Sequence, residues 1–164
     1  MTTKSDKPVN VYRVHIKATP QAVWDAITKP EWLERYGYRA RQEYELRPGG
    51  KYQAFATEEM AKHGGPNVII DGEVIEADPP RRLVQTWRIL WDPEMKAEGF
   101  KRLTWEIEGS PSGITSLTVT HEVDGAPKTA AITSGVIKEA GGGWSFIISD
   151  LKTLLETGKS LADA

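Results

Sequence analysis

A chain of 164 residues with 21 basic and 23 acidic side chains fits one domain that buries a core without disulfides or metal. Its near-neutral balance excludes the strong field that draws in nucleic acid or an anionic membrane. With no cysteine, disulfides, thiolate nucleophiles and thiolate metal sites are removed together. The polar N-terminus, MTTKSDKPVNV, lacks the apolar core of a signal peptide, and no apolar run approaches the roughly 20 residues of a membrane span. A cytoplasmic protein is expected, with no membrane insertion, no nucleic-acid partner, no cofactor and no metal.

In chain order, residues 1–8 read as a flexible tail, 9–158 as a single domain and 159–164 as a second flexible tail. Val9 to Lys17 alternates Tyr12, Val14 and Ile16 against Arg13, His15 and Lys17, the pattern of a half-buried strand. Thr19-Pro20 is an N-cap with proline in the first turn, and Ala22, Val23, Ala26 and Ile27 give the short helix a buried side. Pro30 ends it, and a second short helical piece covers Glu31 to Tyr36. Strands resume at Ala40 to Leu46 and Lys51 to Thr57 around the turn Arg47-Pro48-Gly49-Gly50. After the turn His63 to Asn67, strands follow at Val68 to Ala77, Leu83 to Trp91, Arg102 to Glu108 and Ile114 to Val123. That makes about seven strands at meander spacing.

Asp124 to Ala140 is less regular and reads as a mobile lid. The last element, Gly141 to Glu156, carries Trp144, Ile147, Ile148, Leu151, Leu154 and Leu155 as one stripe of a 3.6-residue period. A helix this apolar needs a large partner surface, and the strands before it supply one. The expected class is α+β: a curved antiparallel sheet wrapped around a long C-terminal helix, with two short helices between strands 1 and 2.

The same alternation assigns an inward face. If Tyr12, Val14 and Ile16 point in, so do Tyr44 and Leu46, Tyr52 and Ala54, then Leu83, Trp87 and Ile89 on the next strand. Leu103, Trp105 and Ile107 follow, with Leu117, Val119 and His121. Tyr44, Tyr52, Trp87, Trp105, His121, Trp144, Ile148 and Leu151 are therefore the candidate ligand-binding set. Aromatic area with a few polar tips is the usual lining of a small-molecule pocket. The same aromatics serve equally well to fill the space between sheet and helix.

His121 is the sharpest catalytic candidate, since an inward imidazole beside a cavity suits a general base near neutral pH; a histidine satisfied by a neighbouring group is the plainer state. His15 points outward and His63 sits in a turn, so neither completes a metal site. Gly141-Gly142-Gly143 before a helix suits an anion, but without the lysine and serine of a nucleotide loop it reads as a hinge. There is no Gly-x-Ser-x-Gly elbow and no paired carboxylate, so catalysis has little support.

Several segments in order carry a resemblance. Ala18-Thr19-Pro20 with Val23-Trp24-Asp25-Ala26-Ile27-Thr28 looks like an opening helix signature, and Leu46-Arg47-Pro48-Gly49-Gly50 looks like a turn between second and third strands. Gly72-Glu73-Val74, Pro80-Arg81-Arg82-Leu83-Val84 and Thr86-Trp87 resemble a central hairpin. Gly113 through His121, with Gly143-Trp144, resembles a last strand and helix start. Together they resemble the branch named after the activator of the heat-shock protein 90 ATPase, within the START-like or birch-pollen-allergen-like (SRPBCC) superfamily, over Val9 to Leu155. Where many members carry paired tryptophans, this chain has Leu33-Glu34-Arg35-Tyr36-Gly37 after Trp32.

The resemblance implies a helix-grip fold with a hydrophobic cavity for an apolar small molecule, lipid or polyketide. It leaves two alternatives: a polyketide cyclase or hydrolase-like enzyme using His121 with Tyr52 or Tyr44, and a chaperone-associated interaction module. A monomer or homodimer is expected.

Overall fold

The computed structural model describes residues 8–163. The N-terminal tail expected at 1–8 therefore lies, but for Pro8, outside the described residues. Strand β1 (Val9–Ile16) leads into α1 (Pro20–Thr28), whose N-cap Thr19 accepts a hydrogen bond from Ala22 N through Oγ1 at 3.1 Å. That bond satisfies one amide that the first turn leaves free. Val23, Ala26 and Ile27 are buried as the spacing requires, Ala22 is half-buried, and Trp24 is buried as well. The second helix, α2 (Pro30–Leu33), is shorter than expected. Tyr36 lies beyond it and donates its hydroxyl to Ala26 O at 2.8 Å.

The remaining strands are β2 (Gln42–Tyr44), β3 (Lys51–Phe55), β4 (Val68–Asp78), β5 (Arg82–Ile89), β6 (Lys101–Gly109) and β7 (Thr115–Glu122). They form one seven-stranded antiparallel sheet in the order β1-β7-β6-β5-β4-β3-β2. β2 is only three residues long where seven were expected. The turn into β3 takes the rest, with Arg47 N donating to Glu45 O and Gly50 N to Arg47 O. A Cβ at Gly50 would sit 1.9 Å from Glu45 O, so that turn closes only on glycine. Leu46 consequently leaves the inward face and is 41% exposed.

Two short helices were not expected. In α3 (Glu58–Lys62) Thr57 caps Met60 N, and in α4 (Pro93–Glu98) Asp92 caps Glu94 N and Met95 N. They shorten the strands expected to reach Thr57 and Trp91. The segment read as a mobile lid contains α5 (Pro127–Thr133) and one 3-10 turn (Lys138–Ala140). Glu98 holds the start of α5: its carboxylate accepts from the Lys128 and Thr129 amides, both at 2.9 Å, and from Thr129 Oγ1 at 2.7 Å.

The last helix, α6 (Gly143–Thr157), lies along the inner face of the sheet beside β1 and buries Trp144, Ile148, Leu151 and Leu154. It also ties onto the free edge of β1, since Lys17 N donates to Glu156 Oε2 and Lys152 Nζ to His15 O, both at 2.8 Å. The glycines before it are places of close approach rather than a loose hinge. A Cβ at Gly143 would lie 2.2 Å from Thr133 O, and one at Gly141 2.6 Å from the Tyr38 hydroxyl.

The expected C-terminal tail at 159–164 is held in place over its described part. Asp150 is buried on α6 and accepts from Gly37 N at 2.9 Å, Ser160 Oγ at 2.9 Å and Leu161 N at 2.7 Å. A buried carboxylate requires such donors, and the tail brings two of the three. Asp163 in turn pairs with Arg39 at 2.8 Å.

Candidate functional site

Between the β2–β5 half of the sheet and the first turn of α6 lies a cavity of about 230 Å³. Its wall is made by inward residues of β2, β3, β5 and β6: Tyr44, Tyr52, Trp87 and Trp105, closed by Trp144 from α6. Tyr38, Arg39 and Trp91 stand at its rim, where Trp91 is 43% exposed, and α5 supplies Ile132 and Thr133. Alternation places the strand residues; the start of α6 places Trp144.

Five of the eight residues expected to bind a ligand thus share one wall. The other three take no part in that wall: Ile148 and Leu151 lie in the packed core, and His121 is fully buried beside it. Their parity is inward as expected, but inward does not mean cavity-facing when another side chain stands in front.

For His121 that side chain is Trp144. The imidazole is fully buried, set edge-to-face against Trp87 and Trp144, and its Nδ1 accepts the Trp144 indole N–H at 3.0 Å. An indole only donates, so Nδ1 carries no proton and the ring is neutral with its hydrogen on Nε2. That Nε2 has no hydrogen-bond partner among the described residues. Burial pulls the imidazole pKa down to about 4. Of the two readings of His121, candidate base or histidine satisfied by a neighbour, the hydrogen bond favours the second: its one basic lone pair braces Trp144.

Two glutamines hold the phenols of the wall: Gln42 lines the cavity, and Gln85 stands behind it. Gln85 is fully buried on β5, and its Oε1 accepts from both the Tyr44 hydroxyl at 2.9 Å and the Trp105 indole at 3.1 Å. Gln42 on β2 accepts the Tyr52 hydroxyl at 2.7 Å. Gln85 shares the inward parity of Leu83, Trp87 and Ile89, which is the signal that would have found it; through Leu103 it also lies in one cross-strand row with His121. Its Nε2 is the second buried side-chain nitrogen without a partner among the described residues.

Burial, ahead of any neighbouring charge, pushes the pKa of Tyr36, Tyr44 and Tyr52 above the ordinary phenol value, so all three remain hydroxyls. No carboxylate lines the wall. Among the described residues no group of three histidine, cysteine or acidic side chains is placed to hold a metal ion, and no helix is long and apolar enough to cross a membrane.

The geometry has structural counterparts. Protein MLL2253 from Mesorhizobium loti superposes with a TM-score of 0.69 at 19% identity, over 96% of this chain and 100% of its own. An HSP90 activator from Plasmodium falciparum, PFC0360w, gives 0.63 at 17% identity over 90% and 96%. The Aha1 dimer from Colwellia psychrerythraea gives 0.66 at 18% over 93% and 99%. At such identities the likeness shows the helix-grip fold. No curated protein sequence matches the chain. The sequence profile of the Activator of Hsp90 ATPase homolog 1-like proteins, by contrast, matches residues 17–156, and the chain belongs to that family.

Proposed function

We propose that the protein binds an apolar small molecule in the cavity under β2–β5. The observation that carries this reading is the wall itself: five aromatic side chains, drawn from five separate elements, enclose space instead of filling it. Protein interiors ordinarily close such gaps, because each lining atom loses dispersion contacts across them. An engineered apolar cavity of about 150 Å³ admits benzene, so a cavity of 230 Å³ suits a one- or two-ring molecule. A whole diacyl lipid would have to extend through the rim. The cyclase alternative has less support, because the one basic lone pair of His121, on Nδ1, is taken by the Trp144 indole and the ring is fully buried.

The test is native mass spectrometry of the protein purified from its own host, followed by titration with one- and two-ring aromatics read by tryptophan fluorescence. A reproducible apolar adduct, or saturable binding lost when Ala54 on the wall is enlarged to Phe, supports the reading. A clean apo mass with no saturable binding across such a panel overturns it.

A further inference from the structure

The direction of the hydrogen bonds at the cavity floor selects the chemistry of the bound molecule. Trp105 Nε1 donates and never accepts. The Gln85 atom facing it at 3.1 Å is therefore the carbonyl oxygen, and the usual ambiguity between amide oxygen and nitrogen is resolved. The Tyr44 hydroxyl meets the same oxygen at 2.9 Å, so its hydrogen is spent on Gln85. Tyr52, whose ring centroid lies 4.5 Å from that of Tyr44, spends its own hydrogen on Gln42. The Tyr44 oxygen thus stands on the wall with its hydrogen turned away and acceptor capacity left over, whereas the neighbouring Tyr52 oxygen is already engaged by Trp87 and Tyr44.

A second observation points the same way. Gln85 keeps a fully buried Nε2 without a partner among the described residues, a state that costs stability. An apolar residue at this position would remove that orphaned nitrogen, but it would take the acceptor from the buried Trp105 indole and leave the Tyr44 hydrogen free to turn into the cavity. The cost is consistent with a side chain retained for the orientation it imposes on Tyr44.

We infer that the preferred ligand is a neutral one- or two-ring aromatic molecule bearing a hydroxyl or amino donor, which it gives to Tyr44 Oη, and that Gln85 is the positioning residue that sets this preference. The inference rests on the ligand-binding reading above. Neutrality follows from the wall, which has no carboxylate to offset a cation, while Arg39 at the rim is already paired with Asp163. A site built around a fixed acceptor discriminates against a molecule that cannot donate, because the acceptor is then buried unpaired.

Matched probes test it: 2-naphthol, 2-methoxynaphthalene and naphthalene, titrated into the full chain by calorimetry at neutral pH. The expected result is that 2-naphthol binds about tenfold more tightly than either of the others. Tyr44→Phe levels the three while still binding them. Gln85→Leu frees the Tyr44 hydrogen and turns the preference toward 2-methoxynaphthalene, whose ether oxygen only accepts. A merely structural role for Gln85 would weaken all three probes alike and leave their ratio unchanged, which overturns its assignment. Should Gln85→Leu not fold, Tyr44→Phe decides alone: a hydroxyl preference that survives it overturns the inference, as does a wild-type protein that binds the methoxy compound as tightly as the naphthol. If the wild type binds the three probes equally, the donor rule fails and the cavity reading stands; if it binds none, the cavity reading falls and takes the rule with it.

Discussion

Toward its C-terminal end α6 sets Ile148, Leu151 and Leu154 into the packed core beside β1 and α1, all of them nearly or fully buried, whereas at its N-terminal end Trp144 and Ile147 face a cavity. The same helix and the same sheet close in one place and stay open in the other. Branched aliphatic side chains interdigitate until no gap remains. The indoles and phenols at the other end are braced in fixed positions by Gln85, Gln42 and His121, and a ring that is tied by a hydrogen bond cannot slide to fill a void. Polar bracing of large flat groups, more than their size, is what keeps space between the layers.

Breaking the closed end has the largest expected effect. Leu151→Ala removes a fully buried side chain from the core and is expected to cost about 3–4 kcal/mol, measured by urea denaturation, with probe affinity unchanged in the fraction that stays folded. A parallel loss of affinity would mean that the two ends are not separable.

Next comes His121, where the ends meet. Its folded pKa of about 4 lies below the ordinary 6.5, so between those values the unfolded chain binds a proton that the folded chain refuses. Stability from this group is therefore complete above about pH 6.5 and declines as pH falls toward 4, by on the order of 3 kcal/mol in all. Denaturation midpoints from pH 7 to 4, compared with His121→Asn, isolate the contribution; curves that run parallel for the two proteins would contradict the sealed, neutral imidazole. Asp150→Ala follows at about 2 kcal/mol, since Gly37 N, Ser160 and Leu161 N lose a shared acceptor. Hydrogen exchange should then rise at Gly37 and Leu161 ahead of the strands.

The closed end was the legible one. The stripe from Trp144 to Leu155 and the alternation along β1, β6 and β7 place a core because apolar periodicity is a direct record of which side is dry. The open end was half legible: parity found Tyr44, Tyr52, Trp87 and Trp105, but a polar residue on an inward position, Gln85, carries no hydrophobic signal and was skipped. The inward face of His121 was legible too, but not its distance from the cavity, since periodicity gives a face and says nothing of what stands before it. Asp150 was visible as a charge within the α6 stripe, three residues after Ile147 and four before Leu154. Its donors came from a polar tail and a loop that no pattern marks. The helices α3 and α4 had their caps in Thr57 and Asp92-Pro93, hidden beside runs that alternate like strands.

The rim gives the smallest effect on stability and the finest test of the comparison. Trp91 follows β5, lines the cavity and is 43% exposed, so truncation leaves little buried area unfilled in the empty protein. Trp91→Ala is expected to change stability by no more than about 0.5 kcal/mol, as for a surface position. A ring bound in the cavity loses a wall that it would otherwise desolvate, so affinity for a two-ring probe should fall by about threefold, with the loss in dissociation rate rather than association. Stopped-flow fluorescence separates the two. If Trp91→Ala instead destabilises the protein as Leu151→Ala does, the rim is part of the closed core, and the division of α6 into a packed end and an open end fails at its outermost residue.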